Sequence, residues 1–122
     1  MKYLFLTYLD EQAWHGLSEP ERQQMMAHVG PLVARLTASG KFLGGAPLHP
    51  TSTASTVRLC DGKRLVTDGP FAEAREAVGG YTLIDAQDRD EAIAIAGEFL
   101  GANGPAIIEV RALTEMEGIP AN

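Results

Sequence analysis

A chain of 122 residues, 45% hydrophobic and 21% charged, has apolar material for one core, which excludes global disorder and argues for one domain. Ten Lys and Arg against 16 Asp and Glu leave a net charge of −6, the wrong sign for a protein that coats nucleic acid. A single cysteine cannot form an internal disulfide or a cysteine-based zinc site, and no apolar run approaches the roughly 20 residues of a membrane span.

Tyr3 to Leu9 is a short aromatic and aliphatic run, the length of a buried strand, and it ends at Asp10-Glu11. Its start turns polar too soon for a signal peptide, so a cytoplasmic domain is expected. Ser18-Glu19-Pro20-Glu21 reads as a helix start: the Ser18 hydroxyl caps the Glu21 amide, the Glu21 carboxylate reaches back, and Pro20 occupies the first turn. Met25, Met26, Val29, Leu32, Val33 and Leu36 then supply an apolar stripe, Gly30-Pro31 predicts a kink, and Gly40 closes the helix.

Phe42 to Leu48 is a second extended stretch, followed by a polar loop over Thr51 to Ser55. Thr56 to Cys60 and Lys63 to Thr67 flank Asp61-Gly62, the residue pair that a tight hairpin turn demands. Gly79-Gly80 leads into a strand over Tyr81 to Ile84. Asp88 with Glu91 starts a second helix whose predicted buried stripe is Ala92, Ile93, Ala96, Phe99 and Leu100, ending at Gly101. Pro105 to Leu113 is the last strand, so residues 1–114 form the domain and 115–122 a tail.

The order of elements predicts an α+β fold: a ferredoxin-like βαββαβ sheet with an inserted β-hairpin and both helices on one face. Alternation on the first strand sets Leu4, Leu6 and Tyr8 against Tyr3, Phe5 and Thr7, so both faces are apolar and both want cover. Two copies packed sheet against sheet, with a cavity between them, supply it. A homodimer is therefore expected.

Asp68-Gly69-Pro70-Phe71 reads first as a turn, with Phe71 plugging the core. Its second reading is a rigid corner that sets Asp68, Glu73 and Glu76 at the mouth of a cavity, with Lys63 and Arg75 near enough in sequence to balance them. Together with Asp61-Gly62-Lys63-Arg64-Leu65-Val66-Thr67 before it and Gly79-Gly80-Tyr81 after it, this stretch resembles the DGPF-domain proteins of the YCII-related family. The similarity runs from about Met1 to Leu113 and includes Asp10-Glu11 and Gly44-Gly45. It implies a dimeric α+β barrel of unsettled activity. It also implies two functional readings: a candidate His and Asp acid–base pair, or a regulatory role linked to sigma factors of the extracytoplasmic-function type.

By position, that resemblance implies His28 as the histidine and Asp10 as the acid, with Asp68 an equal candidate partner. Tyr8, Lys63, Phe71, Glu73 and Glu76 complete the expected ligand-binding set. His28 also edges the apolar stripe, where a histidine is most often packed or hydrogen-bonded, whereas beside a carboxylate it would exchange a proton near neutrality. Asp10 on a loop and His28 about ten residues into the helix are separated by roughly 15 Å of helix, a long reach for proton transfer. His15, His28 and His49 have no metal-ligand spacing, and Gly44-Gly45 lacks a phosphate-binding pattern, so neither metal nor cofactor is expected. Catalysis is left open. The leading expectation is a dimer binding a small molecule near the Asp-Gly-Pro-Phe turn.

Overall fold

The computed structural model describes residues 1–101 and 106–114, and its main sheet is built around β1 (Lys2–Leu9). The other elements are α1 (Glu11–His15), α2 (Glu19–Ala38), β2 (Phe42–Pro47), β3 (Ser55–Cys60), β4 (Lys63–Asp68), β5 (Ala77–Asp85), α3 (Arg89–Leu100) and β6 (Ile107–Ala112), with a 3₁₀ turn at Thr51–Thr53. The predicted strand start at Pro105 and the tail 115–122 lie outside the described residues. Four strands form one antiparallel sheet in the order β2-β5-β1-β6, and among the described residues β3 pairs only with β4. The fold class is α+β, as expected.

The pleat of β1 decides which residues enter the core. Tyr3 and Phe5 are buried beneath α2 and α3, and the Phe5 ring meets Phe99 edge-on at 6.2 Å. Leu32 and Leu36 of α2, Ile84 of β5, and Ala92, Ile95, Ala96 and Phe99 of α3 complete this cluster. Ile95, not Ile93, carries the buried stripe of α3; Ile93 is 43% exposed, because one residue along a helix turns a side chain by about 100°. Met26 at 68% exposure likewise leaves the predicted stripe of α2.

Local chemistry sets the ends of α2. Ser18 Oγ accepts from the Glu21 amide at 3.3 Å while Glu21 Oε1 accepts from the Ser18 amide at 3.1 Å, and that amide is the main cause holding the Glu21 carboxyl below its usual range. At the other end the Lys41 amide donates to the Leu36 carbonyl and the Gly40 amide to Thr37, a pair of bonds that needs the left-handed φ of +75° at Gly40. Pro31 lies inside α2 without dividing it. The Asp61-Gly62 turn has positive φ at both residues, as a two-residue hairpin requires.

One helix is not anticipated by the sequence. Asp10 does not lie on an open loop: its side chain caps α1, accepting from the amides of Gln12 and Ala13. Five residues are too few to show an apolar period, so composition gives no warning of such a helix. None of the described helices is long and apolar enough to cross a membrane.

Candidate functional site

Two hollows flank α1, and Trp14 forms a portion of the wall of each. The outer one, about 420 Å³, is lined by Leu9, Asp10, Ala13, Trp14, Leu17 and the Arg75-Glu76 segment, with Ala106 and Ile107 beside them. Its charged corner is assembled from distant stretches of chain. Asp10 Oδ1 is held by the α1 amides at 3.0 and 3.3 Å, and Asp10 Oδ2 accepts from Arg75 Nε at 3.3 Å. The Ala13 amide first, and the Arg75 guanidinium second, hold the Asp10 carboxyl below its usual range. Asp10 is thus an anion with fixed orientation at the mouth of a largely apolar hollow, and Glu76 shares that hollow.

The other anticipated site residues are dispersed. His28 is exposed on α2, where Nε2 lies 3.1 Å from the Glu98 carbonyl at the end of α3. A carbonyl only accepts, so Nε2 carries the proton in this contact and His28 satisfies a helix-terminal acceptor. Arg35 pairs with the carboxylate of the same Glu98 at 2.6 Å, so α2 grips the end of α3 twice. Among the described residues no hydrogen bond joins His28 to Asp10 or Asp68. Asp68 ends β4 opposite Ser55, exposed, next to Gly69 at φ +98°. Lys63 and Glu73 are also exposed.

Phe71 does not plug the core. It is 77% exposed, with the Arg58 guanidinium 5.9 Å from its ring centroid. Hydrophobicity alone does not say which way a turn throws its aromatic ring, and here the corner at Gly69-Pro70 sends it beside the hairpin. Tyr8 lies on the sheet face away from the helices, where its hydroxyl donates to Glu109 Oε1 at 2.8 Å. That bond, made only by the neutral phenol, is the main cause raising the Tyr8 pKa.

The sequence marks Arg75 as a neighbouring cation, but not that Arg75 closes on Asp10, 65 positions away, nor that Trp14 walls the hollow beside them. No local pattern announces such a pairing. Among the described residues there is no cluster of three His, Cys, Asp or Glu side chains placed to hold a metal.

The whole layout has relatives. The profile of the family described as YCII-related domain matches residues 1–117. An uncharacterized protein of Rhizobium meliloti (strain 1021) is 36% identical over 103 residues, a span covering 84% of this chain and 83% of the relative.

Proposed function

The chain belongs to the YCII-related family, and on that footing we propose that it is a homodimeric binding protein whose small-molecule ligand lies in the hollow of Asp10, Arg75 and Glu76. The observation that carries the reading is the oriented Asp10 carboxylate, paired to the segment that follows the Asp-Gly-Pro-Phe turn, beside an apolar wall. Binding is placed ahead of proton transfer, since the engaged nitrogen of His28 faces a carbonyl instead of an acid.

The dimer half of the reading is supported by surface. The register sets Leu4, Leu6 and Tyr8 beside Leu83, Tyr81 and Ile107 on the face that none of the described helices covers. The hairpin adds Val57, Leu59 and Val66, each at least 60% exposed. It carries three cations (Arg58, Lys63, Arg64) against two acids (Asp61, Asp68) in a chain of net charge −6, so it is complementary to the body of a second copy. With the hairpin set aside, the sheet taken from β6 runs fourth, first, third, second strand, which favours the ferredoxin-like topology and a dimeric α+β barrel.

Light scattering at micromolar concentration is expected to return twice the chain mass, and the double variant Leu4→Glu, Leu6→Glu a single mass. A stable wild-type monomer overturns the dimer. Binding is tested by thermal-shift screening against small amides and carboxylates: hits should lose their stabilisation in Arg75→Gln and keep it in His28→Ala. Equal loss in both variants overturns the placement.

A second reading has its own observation. If the apolar hairpin stays open in the dimer, it suits contact with another protein, as the family's link to sigma factors suggests. Rapid amide exchange at Val57 and Val66 in the dimer favours it; protection favours cover by the second copy.

A further inference from the structure

The inner hollow, on the opposite side of Trp14 from the Asp10–Arg75 corner, has a different chemistry. It measures about 320 Å³, at the lower end of ligand-sized cavities, and lies between α1, α2 and the helix-facing side of the sheet. Leu9, Trp14, Val29, Val33, Phe42 and Phe99 make its walls. The room beside β5 depends on a missing side chain: a Cβ at Gly79 would lie 2.6 Å from Leu9 Cδ2, so Leu9 could not keep its place against the strand.

Polar groups are few and separately placed, and besides the threonines and the carboxylate described next they include the His15 ring at the end of α1. Thr7 and Thr82 line the sheet side. The threonine hydroxyls that donate within the chain are those of Thr37, Thr51, Thr53, Thr56 and Thr67, which leaves Thr7 and Thr82 unengaged among the described residues. Glu11 stands across from them. Its two carboxylate oxygens accept from the Thr51 amide and hydroxyl, both at 2.9 Å, so the charge is fixed in direction and retains spare lone pairs. Glu11 offers acceptors only, and a fixed negative charge beside apolar walls repels an anion.

We propose that this hollow is a second binding site, for a small aromatic molecule that is uncharged or cationic and carries one hydrogen-bond donor. The aromatic body fills the space between Trp14, Val33 and Phe99; the donor reaches Glu11, and the threonine hydroxyls take the remaining polarity. The site shares Leu9, Trp14 and Ala106 with the outer hollow but uses neither Asp10 nor Arg75.

Trp14 is the only tryptophan of the chain and walls both hollows, so its emission reports binding at either, and the amide shifts below distinguish them. Benzamide, benzylamine and benzoate differ in charge while sharing a ring, and they are titrated into the full-length protein. Benzamide and benzylamine are expected to change Trp14 emission saturably, with benzoate at least about tenfold weaker. Glu11→Gln should narrow that gap to about threefold or less, and Val33→Phe, which fills the hollow, should abolish all three responses. Because Val33→Phe can also disturb folding, amide shifts in the unmodified protein supply a second reading: benzamide should move Val29, Val33 and Thr82. Absence of any saturable emission change, or equal affinity for benzoate and benzamide, overturns the proposal. Shifts confined to Asp10, Arg75 and Glu76 also overturn it, while leaving the outer hollow as the ligand site.

Discussion

The four-stranded sheet and the hairpin are both antiparallel β-structure, yet they are held together by different physics. The sheet has two helices on one face and places Phe5 and Ile84 at 0% exposure. The hairpin of β3 and β4 has regular pairing from Ser55–Asp68 to Cys60–Lys63 and no buried residue at all. Backbone pairing is common to both. Burial is what separates them, and an isolated two-stranded hairpin is marginal in water. A register fixed by an Asp-Gly turn therefore survives on local geometry, whereas the sheet is fixed by what lies above it.

That contrast is broken most severely at Phe5. Removing its ring leaves a cavity under Phe99, and Phe5→Ala is expected to cost about 3–5 kcal/mol in denaturant unfolding. A loss below about 1 kcal/mol would mean that the helices do not hold the sheet. Next comes Gly45, where β2 approaches β5. A Cβ there would meet the Tyr81 carbonyl oxygen at 2.7 Å and Thr82 Cα at 3.1 Å, so Gly45→Ala must push the backbones of β2 and β5 apart. About 1–3 kcal/mol is expected, the range for overpacking, because the contact is between two backbones even though Gly45 itself is exposed. Gly44→Ala, which meets nothing within 4 Å, is the control and should differ little from the parent.

Truncations in the hairpin sharpen the comparison from the other side. For a hairpin in solvent, Val57→Ala and Val66→Ala should each change stability by no more than about 0.5 kcal/mol. If a second copy covers them, the loss should exceed about 1 kcal/mol and vary with protein concentration, because association then contributes to the folded state. Denaturant midpoints at two concentrations a hundredfold apart distinguish the cases.

The same division between local and long-range causes governs what can be read from sequence. The Ser18 cap, the Gly40 exit, the Asp61-Gly62 turn and the alternation that sets Tyr3 and Phe5 on one face of β1 all rest on residues within a few positions of one another. Each is legible. Helix α1 is not, because one turn capped by Asp10 has no periodicity to display. Ile93 and Ile95 exchange roles because both fit an apolar stripe until the packing of α3 is known. Phe71 departs from its expected place for a similar reason: its ring is apolar, but the turn directs it to Arg58. At the outer hollow, Asp10 and Glu76 are recognisable from sequence, while their meeting depends on Arg75 crossing from the far side of the hairpin.

The smallest expected effect lies at that crossing, and it asks whether the segment after the hairpin holds Asp10 or merely leans on it. The Asp10 carboxyl sits below its ordinary value of 3.8, so it contributes stability that is present above that value and lost as pH falls through the lower folded pKa. Two causes act. The Ala13 amide belongs to α1 and stays in place whatever the hairpin does; Arg75 is 89% exposed, where an ion pair is weakened by solvent and salt. A carboxyl-detected NMR titration of Arg75→Gln should therefore raise the Asp10 midpoint only some of the way toward 3.8. Added salt should move the parent in the same direction and leave the variant nearly unchanged. A variant that titrates at the ordinary value would assign Asp10 to the guanidinium instead of the helix, and the outer hollow would then owe its charged corner to the hairpin's connection and not to the core.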